Sequence, residues 1–280
     1  MTRFPAVLAL AGLCAALPLA PHVTERTPPV QAAEPLEVAV ENDAGPWSLR
    51  DGTGFANDVV RAAFKASGIE IRLRVVPYAR CKLMAVEGLA VACFSMSRRP
   101  ELTPTIAFPD SPLFVCQADY FQSTARPLGA ASADKLPKGT VVGVVLGYEY
   151  PESLYRLQKD GIIVLDEAAS EEVNMKKLAD GRIAATVVTI NQYKTADYLI
   201  AQAGVKGKVA LAFHAGILPS FIGFSRKHPR GAASLAQFNA GLRKIAADGT
   251  MGRIEKAWVE KSRAATEALK KAGDARGGTR

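Results

Sequence analysis

The chain reads as an α/β protein, and three features of its 280 residues carry that reading. Short apolar or alternating runs recur between segments whose apolar residues repeat every three to four positions, the order of strands joined by helices in a mainly parallel sheet. Hydrophobic residues make up 49% of the chain, enough for a real core at a length that suits one large domain or two lobes. Residues 126–138, rich in small residues and proline, and residues 214–219 suit crossings between two such lobes.

The chain opens with a lone Arg3 and an apolar run from Phe4 to Ala20. That run is too short for a comfortable bilayer span and has the make-up of a signal-peptide core, so residues 1–32 are expected to be removed and the rest exported. Leu13 stands where a lipidation signal at Cys14 needs Gly or Ala, so a soluble mature protein is expected. Loss of Arg3, Glu25 and Arg26 changes the net charge from +8 to about +7. This balance favours anionic partners or a membrane surface. No nucleic-acid motif accompanies it, and export makes nucleic acid a poor partner.

Cys81, Cys93 and Cys116 then remain in an oxidising compartment, and one must be left over. Cys81 and Cys93 bracket a single helix-to-strand passage and are the first choice for a disulfide; Cys93 with Cys116 is the second. No two cysteines have zinc-site spacing, so no metal site is expected.

Leu36–Glu41 alternates apolar with polar or small residues, a first strand ended by the turn cluster Asn42–Pro46. Trp47 follows, either to stack on a ligand or to pack at the rim or in the core. Gly54 opens a helix with Phe55, Val59, Val60, Ala63 and Phe64 on one face, stopped at Gly68. Residues 69–76 alternate as a half-exposed strand ended by Pro77; a helix over 79–87 and a strand over 89–94 follow. Val91 to Cys116 is the most informative run, because a short apolar strand delivers Ser95 and Ser97, then Arg98 and Arg99, to one place. The hydroxyls offer donors and acceptors, and the guanidinium groups suit carboxylate or phosphate.

Leu113 to Phe121 carries the chain out of the first lobe. Thr140 to Leu146 is a run dominated by β-branched residues, a strand buried on both faces. Its join through Gly147 to a helix starting near Pro151 could aim free backbone N–H groups at an anion. A strand over 162–165, a helix over 170–179, a strand over 183–190 and a helix over 191–203 continue the alternation. Strands over 209–213 and 221–225 flank the return crossing. Two amphipathic helices follow, one on Leu235, Phe238, Leu242 and Ile245, the other on Ile254, Ala257 and Trp258. Residues 263–280 carry no strong apolar stripe and read as a basic flexible tail.

Four segments stand in a recognisable order: Gly54-Phe-Ala-Asn-Asp-Val-Val60, Val76-Pro-Tyr-Ala-Arg80, Ser95 to Arg99 with Phe108-Pro-Asp-Ser-Pro112, and Gly249 to Trp258. Over about residues 36–260 the chain thereby resembles the periplasmic solute-binding proteins of ABC transporters, specifically the amino-acid-type family 3. The resemblance implies a two-lobed type II periplasmic binding protein fold, α/β, with a mixed sheet flanked by helices in each lobe. Residues 33–118 plus 221–262 would form lobe 1 and residues 119–220 lobe 2. A small solute would bind between them and favour the closed form. The expected partner is an ABC permease in the inner membrane, and the protein is expected to be a periplasmic monomer with no cofactor.

On this layout Ser95, Ser97 and Arg99 would hold the solute from one lobe, with Trp47 and Tyr78 beside them, and Tyr148 and Thr189 would hold it from the other. Arg99 would neutralise an anionic group of the solute. The family's arginine clamp for an α-carboxylate falls here on Leu102, and its aspartate for the α-ammonium falls on Thr189, so an ordinary amino acid is not the expected ligand. The same fold can serve an accessory or sensor subunit that docks on a partner enzyme or receptor. Catalysis is not expected: no nucleophile is paired with a base, and no carboxylate pair falls in the cleft-forming segments.

Overall fold

A computed structural model describes residues 1–2 and 34–277, with side chains up to residue 275. Apart from its first two residues, the expected signal peptide lies outside the described residues, as does Cys14. The strands are β1 (Leu36–Glu41), β2 (Ile71–Val76), β3 (Ala92–Met96), β4 (Ile106–Ala107), β5 (Phe114–Ser123), β6 (Thr140–Val145), β7 (Ile163–Ala168), β8 (Ala185–Ile190) and β9 (Val209–Ser225). The helices are α1 (Phe55–Ala66), α2 (Tyr78–Glu87), α3 (Glu152–Lys159), α4 (Glu171–Ala179), α5 (Ala196–Ala203), α6 (Gly231–Ala247) and α7 (Thr250–Gly277). The chain is thus mixed α/β, as its alternation of periods predicts.

The strand order is β2-β1-β3-β9-β5-β8-β6-β7, with β4 on β9. Two parallel sets, β1 with β2 and β3, and β6 with β7 and β8, lie at opposite ends of this path. Antiparallel β5 and β9 join them, paired from Phe114 opposite Ser220 to Ser123 opposite Val209. The sheet is therefore more mixed than a βα alternation alone suggests.

β9 runs unbroken through residues 214–219, which the sequence assigns to a loop crossing. Gly216 and Pro219 break strand periodicity. The facing β5 nevertheless offers a continuous ladder: Pro219 keeps register opposite Val115, and a register shift between Ala118 and Asp119 falls beside Gly216.

The apolar face predicted for α1 is buried as expected. α1 lies so close to α6 that a Cβ on Gly241 would stand 1.8 Å from the Ala63 carbonyl oxygen. A disulfide joins Cys81 of α2 to Cys93 of β3 and ties that helix to the sheet, while Cys116 is free and buried.

The expected flexible tail is not one: α7 continues through residues 263–277 and packs on α5. Its inner face is formed by Ser262 and Thr266, both buried, and by Leu269 against the cluster of Phe121, Tyr198 and Leu199. Small polar residues at helical spacing give close packing without an apolar stripe, which is why hydropathy missed it. Lys270 pairs with Asp197 at 2.8 Å and Lys206 with Asp274 at 3.0 Å, surface pairs that add little.

Removing residues 263–280 is expected to lower the melting temperature by at least about 2–4 °C, the shift made by one kcal/mol in a chain of this size. Calorimetry of the two lengths checks this; equal melting temperatures would return the segment to the status of a tail.

Candidate functional site

The parallel strands β1, β3, β6 and β8 all end at one place, the carboxyl-end crevice where open α/β sheets hold ligands. Glu41 ends β1, Ser95 and Ser97 lie at the end of β3, Tyr148 and Glu149 follow β6, and Thr189 is near the end of β8. Together with Trp47, and with Phe114, Cys116, Leu218 and Ser220 of β5 and β9, they line a cavity of about 30 Å³. Ser95 is brought there by a bulge in β3: its φ is +69°, a left-handed conformation unusual for a side-chain-bearing residue.

Trp47 is buried between elements rather than offered to solvent. Its indole N–H donates to Asn191 Oδ1 at 3.1 Å, its ring leans on Phe114 at 4.6 Å between centroids, and the Lys194 ammonium sits 3.9 Å from the ring centre. Gly54 makes this seat possible. It has φ +145°, and a Cβ there would lie 2.3 Å from the Trp47 carbonyl oxygen. The first amides of α1, Phe55 and Ala56, donate to the Pro46 and Trp47 carbonyls at 3.0 Å, so they hold this loop.

Three buried carboxylates dominate the electrostatics. Glu149 accepts from the Tyr78 hydroxyl at 2.6 Å, from the Ser97 amide at 3.2 Å and from Lys82 Nζ at 2.8 Å. Glu171, in the first turn of α4, accepts from the Thr189 amide at 2.8 Å and its hydroxyl at 3.0 Å, and forms an ion pair with the buried Lys194. Glu41 has no cation in hydrogen-bond contact. One of its oxygens accepts from the Tyr148 hydroxyl and the other, Oε2, is buried with no partner. Burial, only partly offset by Tyr148 and Lys194, pushes its carboxyl up to about 8.

Of the seven predicted residues, Trp47, Ser95, Ser97, Tyr148 and Thr189 line this one cavity. Tyr78 stands behind it, bonded to Glu149 and edge-on to Tyr148 at 5.0 Å. Arg99 does not reach it. Its guanidinium lies against Glu152 at 2.8 Å, Glu101 at 3.2 Å and the Tyr155 ring at 4.6 Å, on a neighbouring groove. The expected contact of Arg99 with an anionic solute is therefore corrected: two carboxylates already hold this arginine, and the cavity wall carries Glu41 and Glu149 instead of a cation. α3 begins at Glu152 behind Pro151, as the sequence predicts, but at the join expected to aim free amides at an anion the Tyr148 and Tyr150 amides already donate to Val145 O and Tyr155 Oη.

Sequence reasoning missed Glu41, Glu171, Lys194 and Ser220. A charged residue at the inward end of an otherwise buried strand is a usable signal for Glu41. None marks Lys194, which follows β8 in an irregular turn. Leu102, at the family's clamp position, packs in the apolar cluster of Cys81 and Met96. Burial pushes the Cys116 thiol up to about 12, which leaves it unreactive at neutral pH. A larger groove of about 460 Å³ near Arg126, Lys138 and Arg182 lies at the opposite strand ends, away from this chemistry. Among the described residues no cluster of His, Cys, Asp and Glu is placed to hold a metal, and no helix is long and apolar enough to cross a membrane.

The same architecture occurs in solved structures. A histidine kinase sensor domain with similarity to periplasmic binding proteins matches with TM-score 0.69 at 17% identity, over 80% of this chain and 96% of that one. An ancestral arginine-binding protein bound to arginine matches with TM-score 0.66 at 19% identity, over 79% and 97%. The GluR0 ligand-binding core from Nostoc punctiforme in complex with L-glutamate matches with TM-score 0.64 at 22% identity, over 80% and 99%. No family model matches the sequence, and no curated protein does. The chain therefore has the fold of the type II periplasmic binding proteins and of sensor domains similar to them.

Replacing Lys194 with Met is expected to cost about 3–5 kcal/mol, because Glu171 is left charged and buried. Urea unfolding checks this, and joint replacement of Glu171 by Gln should recover much of the loss. Glu41 sets a pH window. Below its ordinary value of 4.5 folded and unfolded chains both hold the proton; as pH rises toward about 8 only the folded chain keeps it, so stability falls across that interval and levels off above. In Glu41→Gln this part of the slope should vanish, as read from unfolding free energies between those pH values.

Proposed function

We propose that this chain is an exported periplasmic solute-binding protein that takes a small polar solute between the two halves of its sheet and delivers it to an ABC permease in the inner membrane. It acts by binding, as a monomer, with no covalent step and no cofactor. Residues 33–118 with 221–262, and residues 119–220, are the two moving lobes, and β5 and β9 run between them. The observation that carries this reading is the cavity at the strand ends, into which the buried Glu41 Oε2, Ser95 Oγ and Ser220 Oγ bring hydrogen-bonding capacity with no protein partner. Trp47, Ser95, Ser97, Tyr148 and Thr189 form the binding wall, with Tyr78 behind it. At about 30 Å³ the space suits one or two non-hydrogen atoms, well short of a free amino acid.

A second reading, an accessory or sensor subunit that docks on a partner enzyme or receptor, is favoured by a different observation. The chain latches its own halves through Lys82 with Glu149, Tyr148 with Glu41, Trp47 with Asn191, and the stack of Phe55 on Tyr193 at 4.0 Å. The fold likeness to a histidine kinase sensor domain supports that reading too.

A thermal-shift panel of glycine, L-glutamate, L-arginine, acetate, phosphate, ammonium and glycerol tests the first reading. A true solute at a hundred times its dissociation constant stabilises by about 2.7 kcal/mol, which should raise the melting temperature by about 5–10 °C. Saturable binding of one member supports solute capture; a flat response across the panel favours the docking role.

A further inference from the structure

Among the described residues, the lining of the strand-end cavity includes two carboxylates, Glu41 and Glu149, and no cationic side chain; Lys82 pairs with Glu149, and Lys194 lies just behind the lining, paired with Glu171 and against the Trp47 ring. Glu149 is fully engaged by Lys82, Tyr78 and Ser97. Glu41, only 3% exposed, keeps Oε2 without a partner, and Ser220, 4% exposed, and Ser95 keep free hydroxyl oxygens beside the same space. The rest of the lining combines an apolar and aromatic part, Phe114, Leu218, Cys116 and the Trp47 ring, with Ser97, Tyr148 and Thr189, whose hydroxyls already have protein partners. We propose that this cavity is a site for a small ammonium cation, ammonium itself or methylammonium, held by Glu41, Ser95 and Ser220. The inference rests on the solute-capture reading and names its substrate class.

The chemistry fits the geometry on three counts. An ammonium group has only N–H donors, and the three unpartnered groups each supply an acceptor oxygen. The positive charge meets the one carboxylate of the lining with no lysine in hydrogen-bond contact, Lys194 acting on it only from a distance, so a charge-assisted bond is still open to it. A volume of about 30 Å³ holds about two water-sized groups, so one methyl can follow the nitrogen toward the apolar wall while a carboxylate beside the amine cannot. Where Glu41 is ionised, acetate or phosphate would instead meet it and Glu149 with like charge.

The test is calorimetric titration and thermal shift of the mature protein with ammonium chloride and methylammonium chloride, against sodium chloride, tetramethylammonium chloride, sodium acetate and glycine at equal ionic strength. The buffer is held near pH 8, where the charged form of Glu41 is accessible; Tyr148, Lys194, Glu171 and Asp43 are the groups that act on it. Ammonium or methylammonium should bind saturably and sodium should not. Glu41→Gln should weaken that binding at least about tenfold, and Ser220→Ala should weaken it with the fold intact. Glu152→Gln, on the Arg99 groove, should leave it unchanged. Methylammonium binding without ammonium binding would assign the methyl a place on the apolar wall. Binding of acetate or glycine in place of the cations would overturn the cation assignment and leave solute capture standing. Equal binding of tetramethylammonium, which has no N–H, would overturn the hydrogen-bonded site. A flat response to all six salts and solutes would overturn this inference, and the wider panel then decides on solute capture itself.

Discussion

The antiparallel ladder between β5 and β9 is the constraint on which the rest of the structure depends. Each half of the sheet is a parallel set built by βα crossovers, and neither set pairs with the other directly. The two halves meet only because β5 and β9 run long enough to serve as members of both. That ladder also places Phe114, Cys116, Leu218 and Ser220 under the strand ends, so the connection between the halves is at the same time the floor of the cavity. A ladder of main-chain bonds tolerates Gly216 within it because its register shifts locally beside that residue instead of ending.

Above that floor, side chains complete the closure. Tyr148 and Glu149, which follow β6, reach Glu41, Tyr78, Lys82 and Ser97 on β1, α2 and β3, and Asn191 after β8 reaches Trp47. Burying carboxylates is costly unless each finds a cation or several donors. Glu149 and Glu171 meet that condition and Glu41 meets it only in part, which leaves Glu41 the carboxyl of the site most inclined to hold a proton.

The same scaffold occurs in a histidine kinase sensor domain, an ancestral arginine-binding protein and the GluR0 ligand-binding core, so the fold alone does not assign a role. What separates such roles is the occupant of the crevice and what touches the closed surface. Here the crevice is shaped by the chain's own charges, with Lys194 over Trp47 and Glu149 against the Ser97 amide, and the remaining space is small. Selectivity would then come from charge and size together.

Much of the framework was legible in the sequence. The strand and helix periods, the disulfide from Cys81 to Cys93, and the gathering of Trp47, Ser95, Ser97, Tyr148 and Thr189 all follow from patterning and from family-like segments in order. The sequence could not tell Arg99 from a ligand-binding arginine, since its partners Glu101 and Glu152 are fixed only by packing. Nor could it find α7's second half, whose buried face is Ser262, Thr266 and Leu269. By itself the sequence determined the α/β class, because hydrophobic periodicity is a local property of the chain. Only the tertiary structure decided the charge of the site, because Glu41, Glu149, Glu171, Lys82 and Lys194 lie far apart in the chain and each one's state is set by which of the others folding brings within bonding distance.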